Sequence, residues 1–312
     1  MFEPGVPGEP VAIVGAGRLG RATAAALARQ LAPAGFRLVF DGEQATAADV
    51  AAALGGRGAA FVLLPPGESG ELGRALVARG VRVVDLGADQ RLLPHVACAL
   101  GPDAAGRRML SLPSAGALAA WLAVGPLLEA GLVDAERLSV VLLAGDELDA
   151  ARGKLTSATS AESVGAGAFG ARVAAESVGA GASGARMADE LSWLAGRPLR
   201  ATCEVVRVPI GRALLAVVQA EAARDLDAGE LRAALAGAAR TGWLFADASP
   251  CAARVCAETE WPDTARVAGT STVELAARDH GFAERVTALC ALDAVEFTAG
   301  AAVAALRNWS AG

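Results

Sequence analysis

The sequence predicts an α/β protein: a doubly wound parallel sheet in an N-terminal domain, followed by a second, α+β domain. Three observations carry this. The chain has 312 residues, enough for about two domains of ordinary size. Over residues 11–86, apolar runs of four to six residues alternate with helical stretches, the pattern of parallel strands buried on both faces. Past residue 110 that rhythm changes, and later strand-like segments alternate apolar with polar residues.

The first strand is 11–14 (VAIV), closed by Gly15-Ala16-Gly17-Arg18-Leu19-Gly20 and followed by an Ala-rich helix to about Leu31. Residues 36–40 (FRLVF) form a second strand running into Asp41, and Ala47–Leu54 a helix. Residues 60–64 (AFVLL) give a third strand, stopped by Pro65-Pro66-Gly67; Glu71–Arg79 is a helix and 81–86 (VRVVDL) a fourth strand. This βαβ order is that of a Rossmann domain. In the second half, Leu118–Ala130 is a strong helix and 138–144 (LSVVLLA) a strand. Segments 201–208 and 213–220 alternate, look antiparallel and are joined through Pro209-Ile210-Gly211. Ala299–Trp309 is a helix expected to pack back on the first domain. The expected division is 1–113, completed by 290–312, for a dinucleotide-binding domain and 114–289 for a substrate and dimerisation domain.

Composition narrows the partners. The net charge is −6, which argues against nucleic acid, because backbone binding needs clustered basic residues. The mean hydropathy of +0.40 invites a membrane reading. The longest apolar run, Ser114–Leu128, is interrupted by Gly116, Gly125 and Pro126 and is short of a span, so a buried core helix is expected and no membrane partner. The N-terminal residues lack a basic region followed by an apolar stretch, so a cytoplasmic protein is expected. The five cysteines (Cys98, Cys203, Cys251, Cys256, Cys290) are scattered without a C-x-x-C pair, which suits reduced thiols, and no metal site is read. Residues 161–174 and 175–188 match at 12 of 14 positions; two copies of so short a unit read as a tandem duplication in a tolerant loop rather than a solenoid.

The turn after the first strand carries the chemistry. Gly15 permits the tight turn, Gly17 lets backbone approach a pyrophosphate, and Gly20 lets helix and strand pack closely. The free N–H groups of the following helix would receive the phosphates, with Arg18, Leu19 and Pro65 beside them. Asp41, about 20 residues on, would accept from the adenosine ribose hydroxyls, which favours NAD. Arg18 and Arg21 could instead clamp a 2′-phosphate. Both NAD and NADP stay open as the cofactor.

The stretch 59–93 (AAFVLLPPGESGELGRALVARGVRVVDLGADQRLL), with Leu112-Pro113 through Leu128, Pro209-Ile210-Gly211-Arg212, Gly269-Thr270 and Gly300-Ala301-Ala302, resembles the N-acetyl-gamma-glutamyl-phosphate reductase family, relatives of aspartate-semialdehyde dehydrogenase. The resemblance implies an NADPH-dependent reduction of an acyl phosphate in amino-acid biosynthesis. A cysteine attacks, phosphate leaves, hydride reduces the thioester, and a histidine handles protons. It implies homo-oligomers built through the second domain. Asp85-Leu-Gly-Ala-Asp89-Gln-Arg91-Leu stands where the family has D-L-S-A-D-F-R-L, so Arg91 is implied to face a substrate phosphate; the plainer role is an ion pair with Asp85 or Asp89.

Against that pattern, Ala115 occupies the family's cysteine position, between Ser114 and Gly116, so no catalytic residue is assigned. Ala185-Arg186-Met187-Ala188-Asp189-Glu190 best matches the histidine-bearing segment and contains none; the two histidines, His95 and His280, read as solvated loop residues. Ala144–Arg152 stands where the family has a serine- and glycine-rich loop, its serines gone. Losing a covalent nucleophile typically costs about a million-fold in rate. Three functions follow. The chain is a degenerate reductase that keeps the dinucleotide and takes a small acidic or phosphorylated metabolite. It is a working NAD(P)-dependent oxidoreductase on another small carbonyl, its polar cluster drawn from Asp146, Glu147, Asp149, Glu190 or Arg212. Or it is a regulatory or partner subunit of an active paralogue.

Overall fold

The computed structural model describes residues 8–43, 45–56, 58–64, 67–93, 96–99, 106–135, 137–145, 184–241, 249–279 and 285–311. Two six-stranded sheets organise them.

The first sheet has the order β2-β1-β3-β4-β6-β5, from β1 (Glu9–Gly15), β2 (Phe36–Gly42), β3 (Ala59–Leu63), β4 (Arg82–Asp85), β5 (Ala97–Cys98) and β6 (Met109–Ser111). Every pairing is parallel. Alternation along β1 explains the unbroken apolar runs: Val11 and Ile13 enter the large core, Ala12 and Val14 a second core on the other face. Both faces are dry, so neither residue set can be polar. Helices α1 (Gly17–Leu31), α2 (Ala47–Ala53) and α3 (Ser69–Val77) are the crossovers. The short β5 and β6, not foreseen from the sequence, extend the sheet beyond β4; two or three residues are too few to show a period.

Helix α4 (Ala115–Glu129) is apolar on all sides and its residues are mostly buried, as expected for a core helix rather than a span. It starts three residues before the expected Leu118 because Ser114 caps it, accepting from the Ala117 N–H at 3.2 Å. It packs on the second sheet, ordered β10-β11-β12-β9-β7-β8. Those strands are β7 (Leu138–Gly145), β8 (Ala201–Val208), β9 (Ala213–Glu221), β10 (Ala252–Val255), β11 (Thr272–Asp279) and β12 (Arg285–Asp293). β8 and β9 run in opposite directions, as expected, but they are not neighbours: β7 lies between them, parallel to β8 and antiparallel to β9. Burial gives the reason. β7 is largely apolar and takes the inner place, whereas β8 carries Thr202, Glu204 and Arg207 and suits an edge.

The helical residues 184–195 form α5, followed by α6 (Ala228–Thr241), α7 (Thr264–Val267) and α8 (Ala294–Ala311). The expected terminal helix is longer than 299–309, because Asp293 caps it by accepting from the Val295 and Glu296 N–H groups at 2.9 and 3.0 Å. α8 packs on α1 of the first sheet, tied by Arg29 to Glu296 at 2.6 Å. Arg82 stacks on Trp309 and pairs with Glu9, closing the same contact. Residues 290–293, expected with that helix, belong to β12. No helix among the described residues is long and apolar enough to cross a membrane.

Candidate functional site

Because the first sheet is wholly parallel, Gly15, Gly42, Leu63, Asp85 and Ser111 end their strands on one edge. Strand order reverses between β1 and β3, and ligands of open α/β sheets bind in the crevice at such a switch point. The turn Gly15–Gly20 lies there, its Ala16 N–H donating to the Leu63 carbonyl at 3.1 Å.

The turn has the properties of an anion cradle. Gly17 has φ +74°, which disfavours any side chain, and a Cβ placed on it would meet nothing within 4 Å. That open space is where a phosphate can approach backbone. Gly20 does the opposite work, since its Cβ would lie 2.9 Å from the Leu63 carbonyl oxygen. Helix α1 has no side-chain cap and no acidic residue in its first turn, whereas α2 is closed by a Thr46–Asp49 capping box. The first N–H groups of α1 therefore stay available, with the positive end of the helix dipole behind them. Leu19 packs against the large core and offers only backbone to a ligand. Asp41 is exposed at the end of β2, with no side-chain partner among the described residues. Arg21, a candidate for a 2′-phosphate, instead donates to Glu43 at 3.0 Å. Pro65 lies outside the described residues, as does the side chain of Arg18. The residues present fit a dinucleotide.

A second polar cluster occupies the same sheet edge beyond β4. Arg91 is largely buried and spends its guanidinium on the protein: Nε on the Leu112 carbonyl at 2.8 Å, one terminal nitrogen on the Leu86 carbonyl at 3.0 Å, the other on Glu190 at 3.5 Å. Burial lowers its pKa, and the carboxylates of Glu190 and Asp85 work against that. Its ion-pair partner is thus Glu190, not Asp85 or Asp89. Asp89 accepts from the Gly67 N–H and the Ser69 hydroxyl. Burial pushes the Asp85 carboxyl up, against the Gly87 N–H and the charge of Arg91; its Oδ2 and the Oγ of its cross-strand neighbour Ser111 are buried without hydrogen-bond partners.

Glu190 is the residue this site turns on. Helix α5 carries it to the start of α4, where it accepts from the Ser114 N–H at 2.6 Å while facing Arg91 and, at 3.8 Å, Arg186. It is 2 % exposed. Ala115, at the first position of α4, brings only a methyl group. The sequence places Glu190 among candidates for a polar cluster but does not join it to Arg91. The two are 99 residues apart, and no single-sequence signal connects them. Of the other candidates, Arg212 faces Asp293 at 3.8 Å, and Asp146, Glu147 and Asp149 lie outside the described residues. So do His95, His280 and all but the last five residues of the 161–188 repeat.

The cysteines are free thiols, four buried and Cys203 half-buried. Burial pushes Cys203 up to about 11 and raises Cys251, Cys256 and Cys290 as well, so these four are poor nucleophiles near neutral pH.

The chain is 30% identical over 278 residues to an N-acetyl-gamma-glutamyl-phosphate reductase of Acidothermus cellulolyticus, covering 82% of this chain and 76% of that one. A protein of the same name from Saccharopolyspora erythraea is 29% identical over 275 residues, covering 81% and 75%. No family model matches the sequence. In fold, the chain is similar to aspartate semialdehyde dehydrogenase II of Vibrio cholerae, with TM-score 0.69 at 16% identity over 96% of this chain and 97% of that one. Aspartate semialdehyde dehydrogenase of Francisella tularensis superposes with TM-score 0.66 at 11% identity, over 96% and 98%.

Proposed function

The chain belongs to the N-acetyl-gamma-glutamyl-phosphate reductase family, and from that premise we propose that it binds NAD but has lost the family's reductive dephosphorylation of an acyl phosphate. Residues 1–113, completed by the C-terminal helix, form the dinucleotide-binding unit; 114–289 form the substrate and dimerisation unit.

The observation that carries the loss is the start of α4. Where covalent catalysis needs a thiolate, Ala115 has a methyl group, and the helix N-terminus faces the Glu190 carboxylate instead of an open pocket. A carboxylate there repels an incoming acyl phosphate and competes for Arg91. Ser114 is no substitute, because its hydroxyl oxygen is the α4 cap and an oxygen ester accepts hydride poorly. Arg91 keeps only a minor share in holding a small acidic or phosphorylated metabolite, since protein acceptors already take three of its five N–H donors.

The preference for NAD rests on charge. Asp41 would accept from the ribose hydroxyls and repel a 2′-phosphate, and Arg21 is engaged by Glu43. The nicotinamide supplies hydride chemistry when bound; the residues of this chain bind and orient it. The backbone of Gly15, Gly17, Arg18, Leu19 and Gly20 would hold the pyrophosphate.

The test uses purified protein with N-acetylglutamate semialdehyde, phosphate and either nicotinamide cofactor, read as absorbance of the reduced cofactor. No phosphate-dependent reduction above the protein-free rate is expected, alongside saturable NAD binding that Asp41→Ala weakens. Turnover that co-purifies with the chain would sink the proposal. Loss of NAD binding altogether would sink its cofactor half.

A further inference from the structure

The second sheet carries a basic groove that lies apart from the dinucleotide turn. Four strands deliver their termini to one rim: β7 and β8 begin there, β9 ends there and β12 begins there. The groove, of about 410 Å³, is lined by Arg137, Arg200 and Arg285 against one carboxylate, Glu221. This is a local positive excess on a chain of net charge −6.

Glu221 does not neutralise it. Glu221 stands opposite Arg285 in the β9–β12 ladder, but its carboxylate takes Arg137 at 3.2 Å. Arg200 and Arg285 are both exposed, and neither guanidinium has an acceptor among the described residues. Between them the floor is polar: Thr202 and Gln219 both stand beside Ser139 in register, the Gln219 amide and the Ser139 hydroxyl offering donors while the Thr202 hydroxyl donates to the Leu138 carbonyl at 3.4 Å. Two unpaired guanidinium forks over a donor-rich floor match planar or tetrahedral oxyanions, and the volume suits a small metabolite.

We propose that this groove binds a small oxyanion carrying two or more negative charges, a phosphate or a polycarboxylate, with Arg200 and Arg285 as its principal ligands. The site is independent of cofactor binding and of the lost reductase chemistry, since it shares no residue with either.

The test is calorimetric titration of the full chain with inorganic phosphate, pyrophosphate and citrate, each at about 150 mM NaCl so that diffuse attraction is screened. At least one probe should bind saturably with a dissociation constant of about 1 mM or tighter. The Arg200→Gln/Arg285→Gln double variant, at two exposed positions, should keep the wild-type unfolding midpoint and lose affinity about tenfold or more. Binding of phosphates but not citrate assigns the phosphoryl source, and the converse assigns the carboxylate source. Absence of saturable binding by all three probes overturns the proposal, as does equal binding by the double variant, which would place the anions elsewhere.

Discussion

Removing the Glu190 carboxylate should cost this protein more stability than any ordinary surface change. In Glu190→Ala the Ser114 N–H and one terminal nitrogen of Arg91 lose their acceptor in a site where Arg91 is 13% and Glu190 2% exposed. Breaking a buried pair by deleting one partner costs about 3–5 kcal/mol. Two features reduce that: Arg91 keeps its bonds to the Leu86 and Leu112 carbonyls, and its third contact is long at 3.5 Å. A loss of about 2–4 kcal/mol follows. Glu190→Gln keeps a neutral acceptor for the Ser114 N–H and should cost about 1–2 kcal/mol. Urea unfolding followed by tryptophan fluorescence reads this directly, because Trp193 shares α5 with Glu190 and Trp121 lies on α4. With an m-value of about 3 kcal/mol/M, Glu190→Ala should lower the midpoint by about 1 M. A midpoint within about 0.2 M of wild type, or identical midpoints for the two variants, would refute the assignment of Glu190 as a buried ion-pair member at the start of α4.

Gly17→Ala should leave the fold intact, at about 1–2 kcal/mol for a positive φ, but reduce NAD affinity about tenfold or more by placing a methyl in the cradle; a titration with unchanged affinity would contradict the turn's role. Asp85→Asn should be neutral or stabilising at neutral pH. The folded pKa of Asp85 lies above its unfolded value, so its charged form costs stability, and that cost grows as pH rises from the unfolded pKa through the folded one. The advantage of the variant should vanish in acid, and a pH-independent difference would contradict this. Glu274 has the opposite sign. Burial works against its charge, but hydrogen bonds from Arg266, the Asp263 N–H and Arg254 outweigh that and hold its carboxyl below the usual range. Its contribution should be intact above the ordinary glutamate pKa and fall away as pH drops through the lower folded value, so Glu274→Gln should flatten the acid limb of a stability profile.

Local structure was legible in the sequence wherever it depends on residues close together in the chain. The Gly15–Gly20 turn, its flanking strand and helix, and the parallel character of 11–86 all follow from periods and glycine spacing. Asp41 could be placed by its distance along the βαβ unit. Elements β10 to β12 were not legible: their apolar residues show no clean alternation, and in β12 both faces are buried, Val286, Ala288, Cys290 and Leu292 in the large core and Leu289 in a separate small cluster.

The sequence by itself determined the type of the first sheet and the glycine turn that joins β1 to α1, since each is a matter of residue type and spacing at short range. Only the tertiary structure decided that β7 separates β8 from β9, that Arg21 is held by Glu43, and that Arg91 meets Glu190 at the first turn of α4. Those ion pairs join residues 22 and 99 positions apart. The exposed Arg21–Glu43 pair draws only on charges brought within a few ångströms, the Arg91–Glu190 pair also on burial, and neither juxtaposition exists until the chain has closed on itself.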